Sequence, residues 1–229
     1  MITFDYNKIA ADYDKWYQTP LGKQIDIWEK KLVALHLKQI KSKQILEIGA
    51  GTGHWTLFLS QKGFKITGID IAKKMLAQAE KKNIANTSFI SASVESLPFE
   101  DNSIENIVAI TVLEFVEKQE IAFSEIFRVL KPNGIFVIGA LNNMASLQKK
   151  RQNDIVFKNA RFFSRKTLFE ILSKFGNPTV DGCVYMPNPN ATLKEIIKAV
   201  TNASVNLLNI YGNFLVGSVK KTILKWKIR

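Results

Sequence analysis

The stretch Ile45-Leu46-Glu47-Ile48-Gly49-Ala50-Gly51-Thr52-Gly53 constrains this chain more than any other. A short apolar run enters three glycines at alternate positions, and Trp55–Gln61 then continues at helical spacing. Glycines at a strand-to-helix bend permit positive φ and let a ligand approach bare main chain. A second strand pattern, Ile66-Thr67-Gly68-Ile69, ends in Asp70, 21 residues after Gly49. A carboxylate at that place suits both hydroxyls of a ribose. A nicotinamide enzyme would share these two features, but two details oppose it. The diphosphate fingerprint G-x-G-x-x-G calls for glycine where His54 stands. Glu47, two residues before the first glycine, is an awkward neighbour for a diphosphate and suits a ligand with an amino group and no phosphate.

The bend sits in an alternating series. Strand patterns fall at Gln44–Ile48, Lys65–Ile69, Ser88–Ala92, Ile104–Val112 and Ile135–Gly139. Helical patterns fall at Glu29–Ile40, Trp55–Gln61, Lys73–Lys82 and Ile121–Leu130, the last ended by Pro132-Asn133-Gly134. The continuous β-branched run from Ile104 to Val112 reads as a parallel strand buried on both faces. Alternation of this kind predicts an α/β, doubly wound sheet with helices on both faces. Beyond Leu141 the polar segment 142–164 interrupts the pattern at the sheet edge where ligands bind in open α/β folds. Ser164 then caps a helix over Arg165–Phe175, stopped by Gly176. Val180–Tyr185 and Phe214–Val219 read as strands, and Leu193–Leu208 between them as a core helix.

Composition excludes several classes. With 46% hydrophobic residues the chain can bury a sizeable core, which a disordered chain cannot. A single cysteine allows no intrachain disulfide. No apolar run approaches the ~18 residues needed to span a bilayer, and the acids Asp5, Asp12 and Asp14 deny the N-terminus the character of a signal peptide. A cytoplasmic location is expected. The net charge of +12 is concentrated in residues 141–229, with 15 basic and 4 acidic groups. Such a surface can serve an anionic partner. Yet 27 of the 32 basic residues are lysines, and nucleic-acid readers favour the planar fork of arginine.

At the motif level the chain resembles a known family. Leu46-Glu47-Ile48-Gly49-Ala50-Gly51-Thr52-Gly53 is similar to motif I of the class I S-adenosylmethionine-dependent methyltransferases. Gly68 to Leu76 resembles their ribose segment, Ala92 to Phe99 their adenine segment, and Arg128 to Gly134 the turn before their fifth strand. The resemblance covers roughly residues 1–219, in the branch holding small-molecule and quinone-type enzymes. It implies a seven-stranded, mostly parallel sheet of order 3-2-1-4-5-7-6, with the last-added strand antiparallel. It implies one domain over 1–229, with a helical lid at 1–40 and an insert at 142–164 near the acceptor.

The resemblance also assigns roles. Gly49, Ala50 and Gly51 would line the methionine part of S-adenosylmethionine, and Glu47 would orient that loop or the bound amine through water. Asp70 would hold the ribose, with Ile71 and Met75 against the adenine. Ser93, Val94 and Glu95 would meet the adenine edge, and Thr111 would border the cofactor. Many relatives carry Asp where Ser93 stands, and a hydroxyl accepts more weakly than a charged group.

Methyl transfer from a sulfonium is an in-line displacement that leaves S-adenosyl-L-homocysteine. The protein supplies proximity, orientation and a dry pocket. No metal is called for, and His36, His54 and Cys183 have no zinc spacing. Glu114, in the family's acceptor region after strand four, has two readings. It orients or deprotonates the acceptor, its pKa raised by burial, or it favours a helix macrodipole. Tyr13, Trp16 and Tyr17 are expected in the lid, where aromatic faces attract a sulfonium, and Phe162 is expected against the acceptor.

The expectation is a small-molecule acceptor. The rivals are an RNA methyltransferase using the basic last third and a protein that holds the cofactor without transferring methyl. The sequence lacks [D/N]-P-P-[Y/F] after strand four, and Cys183 follows glycine rather than proline. These facts oppose the common base-amine and cytosine-C5 chemistries. Weak membrane-surface contact through Leu224–Arg229, where apolar and basic residues alternate, is a further expectation.

Overall fold

In the computed structural model, residues 4–143, 154–184, 192, 194–195 and 212–222 are described. The expected helix over 193–208, the basic run Lys149-Lys150-Arg151 and the 224–229 tail lie essentially outside them. Seven strands form one sheet: β1 Gln44–Ile48, β2 Lys65–Asp70, β3 Thr87–Ser91, β4 Ile104–Ile110, β5 Leu130–Leu141, β6 Pro178–Cys183 and β7 Phe214–Lys220. Their order is β3-β2-β1-β4-β5-β7-β6, as expected. The first five pair in parallel, while β7 runs antiparallel to both β5 and β6.

The helices are α1 Lys15–Gln18, α2 Pro20–Leu37, α3 His54–Gln61, α4 Lys73–Lys81, α5 Gln119–Val129 and α6 Arg165–Ser173. Period-2 alternation in the strands builds two cores. Leu46, Ile48, Ile107, Ala109, Phe136 and Ile138 meet α5 and α6 on one face. Ile45, Ile66, Val108, Ile110, Val137 and Val216 meet α2 and α3 on the other.

Three boundaries depart from expectation. α2 starts at Pro20, not Glu29. The Thr19 hydroxyl accepts from Gly22 N–H at 3.0 Å and Pro20 takes the first turn, a start signal that outweighs the polar Lys23-Gln24. β4 stops at Ile110, because Thr111 turns to φ 49°. β5 reaches back through the Pro132-Asn133-Gly134 turn to Leu130 as an irregularity, its pairing with β4 shifting between Ile104 and Asn106.

Candidate functional site

The bend after β1 is built by main chain. Gly49 and Ala50 N–H both donate to the Ile69 carbonyl, at 2.8 and 2.9 Å, tying the loop to the end of β2. Gly49 and Gly51 have φ of +74° and +54°, the left-handed region where a side chain is disfavoured. A Cβ at Gly49 would lie 2.5 Å from Val112 Cγ2, whereas at Gly51 the nearest atom would be 3.9 Å away. Gly51 therefore faces open space. Asp70 closes the unit: its Oδ2 accepts from Gly51 N–H at 2.9 Å and its Oδ1 from Ala72 N–H at 2.8 Å. Burial raises its pKa, and the Ala72, Gly51 and Ile71 N–H groups pull it back.

This corner opens on a cavity of about 430 Å³, within the roughly 300–1,000 Å³ usual for small-molecule sites. Gly49, Gly51 and Asp70 form one wall, and Ile71 and Met75 another. Ile71 is 73% exposed although apolar, a face free to stack on a flat ligand. Ser93, Val94 and Glu95 form the far edge. The Ser93 hydroxyl is engaged, accepting from Glu95 N–H at 3.1 Å, and Glu95 Oε1 accepts from Lys118 N–H at 2.9 Å. Thr111 and Val112 border the cavity from the end of β4. Positive φ in a β-branched residue such as Thr111 is a strained conformation of the kind that clusters at functional sites.

Six sequence-based candidates, Glu114 among them, lie off this cavity. Ala50 is buried at the back of the bend. Glu47 points to the opposite sheet face, where its Oε2 accepts from the Thr56 hydroxyl of α3 at 2.6 Å. It thus ties β1 to α3, and burial lifts its pKa to about 8. Trp16 is 41% exposed and does not border the cavity. Tyr17 stacks on His54, ring centroids 3.5 Å apart, and His54 Nε2 meets Asp26 Oδ1 at 2.7 Å. Phe162 packs against Phe157, which in turn meets Phe115 on the cavity wall. Of the three expected lid aromatics, only Tyr13 lines the cavity.

Glu114 is fully buried in the 3-10 turn Leu113–Phe115. The macrodipole reading fails, because α5 begins at Gln119 and its start is served by Glu95. Glu114 Oε1 instead accepts from Leu141 N–H at the end of β5. Its Oε2 has no hydrogen-bond partner among the described residues. Burial raises its pKa to about 7, with Leu141 N–H opposing.

Sequence reasoning missed the segment Phe4–Asn7 on the cavity wall. Its anchor is Asn7, whose Oδ1 accepts from Lys74 N–H at 2.8 Å at the start of α4. Asp14 then fastens the following turn: its Oδ1 accepts from Thr52 at 2.6 Å and its Oδ2 pairs with Lys82 at 2.6 Å. Polar capping residues in a short irregular segment carry no periodicity, so no signal placed them. Glu29 was also missed. It sits within the apolar pattern of α2, is buried, and has its pKa pushed up to about 8, chiefly by burial and then by the Asp26 and Glu114 charges.

A strand–glycine–helix corner, a carboxylate ending β2 and this strand order define an adenosyl-binding α/β transferase. The comparisons agree. Residues 46–138 match a family model described as a methyltransferase domain. An uncharacterized protein of Methanocaldococcus jannaschii is 35% identical over 75% of this chain and 80% of its own length. The demethylmenaquinone methyltransferase of Lactococcus lactis is 30% identical over 74% of this chain and 70% of its own. Among solved structures, a methyltransferase of Thermotoga maritima, described as a possible histamine N-methyltransferase, superposes with a TM-score of 0.71. It is 21% identical and the match covers 95% of this chain and 98% of that one, so it speaks for the fold. The chain belongs to the class I S-adenosylmethionine-dependent methyltransferase family. Its cofactor is S-adenosylmethionine.

Proposed function

We propose that this enzyme methylates a small-molecule acceptor, with the cofactor held in the cavity beside Asp70. The residues fit the group. Asp70 keeps acceptor capacity on both oxygens after serving Gly51 and Ala72, enough for two ribose hydroxyls. Ile71 and Met75 would lie against the adenine, with Ser93, Val94 and Glu95 at its edge. Gly51, open to the cavity, lets the methionine part lie on main chain. S-adenosylmethionine supplies an electrophilic sulfonium methyl, and its transfer leaves the C–S electron pair on sulfur. The chain orients the acceptor and excludes water. Tyr13, Tyr6 and Phe115 line the cavity, the last two with ring centroids 5.7 Å apart. Glu114, buried in the turn between the cavity-lining Val112 and Phe115, would orient the acceptor or accept its proton.

The observation carrying the small-molecule reading is that wall. A site lined by the chain's own N-terminal aromatics Phe4, Tyr6 and Tyr13 suits a small acceptor better than a polymer. Three of the described basic groups of the last third bond to main chain. Arg161 donates to the Glu117 carbonyl at 2.7 Å and Arg165 to the Val180 carbonyl at 3.1 Å. Lys221 is buried against the Phe127 and Leu130 carbonyls. Lys221 is thereby held inside the fold rather than offered to a phosphate backbone, while Arg161 and Arg165 engage main-chain carbonyls from exposed positions. Among the described residues no helix is long and apolar enough to cross a membrane, and no metal-binding cluster occurs. The test is to incubate the enzyme with methyl-tritiated S-adenosylmethionine and either a dialysable cell extract or total RNA. Label in dialysable products supports the reading, and label in RNA alone refutes it.

A further inference from the structure

Residues 92–103 link β3 to β4, and Ser93, Val94 and Glu95 within them line the cavity. No ladder of the sheet holds residues 93–103, so other bonds must set their position. Ser96 N–H donates to the Ser93 carbonyl at 3.1 Å and Glu95 N–H to the Ser93 hydroxyl at 3.1 Å, which closes 93–96 into one turn. The residues that follow, Leu97 and Phe99, are fastened from α5. Glu125 Oε2 accepts from Leu97 N–H at 2.8 Å. Arg128 Nη2 donates to the Leu97 carbonyl at 3.0 Å, and its Nη1 donates to the Phe99 carbonyl at 2.8 Å.

Arg128 is itself held in place. Its Nε donates to Glu125 Oε1 at 2.7 Å and its Nη2 to Glu125 Oε2 at 2.8 Å, the two-pronged pairing a guanidinium makes with a carboxylate. Its Nη1 also pairs with Asp101 Oδ1 at 2.8 Å, and its carbonyl accepts from Asn102 N–H at 2.9 Å. At the start of the same helix, Lys118 N–H donates to Glu95 Oε1 at 2.9 Å. One helix thus grips the loop at 95, 97, 99, 101 and 102. Arg128 does not line the cavity, so whatever it does there runs through the loop.

Resting on the placement of the adenine edge at Ser93–Glu95, we propose that Arg128, braced by Glu125, is a positioning residue that sets the selectivity of the site for the base. Adenine presents an amino donor at C6 and a bare acceptor at N1. Hypoxanthine presents the reverse, an oxo acceptor at C6 and a donor at N1. Only polar groups held at the right distance and direction tell these edges apart, because hydrogen bonds weaken steeply with misalignment. The fork of Arg128 fixes two main-chain carbonyls at once, and the turn 93–96 joins directly onto the first of them at Leu97. Lysine keeps the charge opposite Glu125 and Asp101, but its compact ammonium does not reproduce the planar fork.

The test compares, by calorimetry, S-adenosylhomocysteine with S-inosylhomocysteine, its counterpart carrying hypoxanthine. Contacts to ribose and homocysteine are common to both ligands and cancel in the ratio of their affinities. The unmodified protein should bind the adenine compound at least about tenfold more tightly. Arg128→Met and Arg128→Lys, each checked by circular dichroism, should lower that ratio at least about threefold. Should Arg128→Met fail to fold, Arg128→Lys decides alone. A residue that merely steadies α5 would weaken both ligands alike and leave the ratio where it was. If a folded variant lowers the ratio by less than that, or the unmodified protein prefers neither compound, the inference is overturned and the cofactor assignment stands. If S-adenosylhomocysteine does not bind, both fall.

Discussion

Replacing Asp70 with alanine removes the group on which the cofactor site turns. A carboxylate has about four acceptor positions. Gly51 N–H takes one at 2.9 Å and Ala72 N–H another at 2.8 Å, leaving capacity on each oxygen for the two ribose hydroxyls. Hydrogen bonds to a charged group are worth about 1.5–3 kcal/mol each. Losing two gives about 3–6 kcal/mol, or roughly 10²- to 10⁴-fold weaker binding. Asp70→Asn keeps one acceptor oxygen and should lose only about one such bond, roughly 10- to 10²-fold. Calorimetric titration with S-adenosylhomocysteine measures both, with circular dichroism confirming that the sheet persists. Affinity in Asp70→Ala within about threefold of the parent would refute the placement of the ribose.

Other expectations follow from the same geometry. Gly49→Ala puts a Cβ 2.5 Å from Val112 Cγ2 at φ +74°; it should cost about 2–4 kcal/mol of stability and abolish cofactor binding, read by urea titration and calorimetry. Glu47 has its folded pKa raised from 4.5 to about 8 by burial. The folded state then holds more protons than the unfolded one between those values, so stability present below pH 4.5 is lost as pH rises to about 8. Glu47→Gln should flatten that fall by a few kcal/mol at most, on the order set by linkage, in melts taken from pH 5 to 9. Trp16→Ala should leave the KM for S-adenosylmethionine within about twofold, since the ring is 41% exposed and off the cavity. Tyr13→Ala should raise that KM severalfold, and steady-state kinetics on the two variants separates them.

The glycine bend, Asp70 and the alternating strands were legible because they rest on local rules, while the strand order came with the family resemblance. Positive φ selects glycine, and a parallel strand buried on both faces reads as an unbroken apolar run. Glu47 was legible as a residue but not in direction. It alternates with Leu46 and Ile48, so period 2 turns it with Ile45 toward α3, where Thr56 meets it. The burial of Glu29 was illegible because it depends on tertiary placement. In sequence it is one charged residue among Asp26, Lys30 and Lys31 on an amphipathic helix, and only the crossing over β5 to β7 buries it. The Asp5–Asn7 anchor escaped for a related reason, since its partner Lys74 lies 67 residues away.

The most direct measurement is equilibrium dialysis of the unmodified protein against radiolabelled S-adenosylmethionine and, in parallel, NAD. One equivalent of S-adenosylmethionine bound at micromolar concentration, displaced by S-adenosylhomocysteine and unaffected by NAD, is the result expected. Retention of NAD with no uptake of S-adenosylmethionine would contradict it.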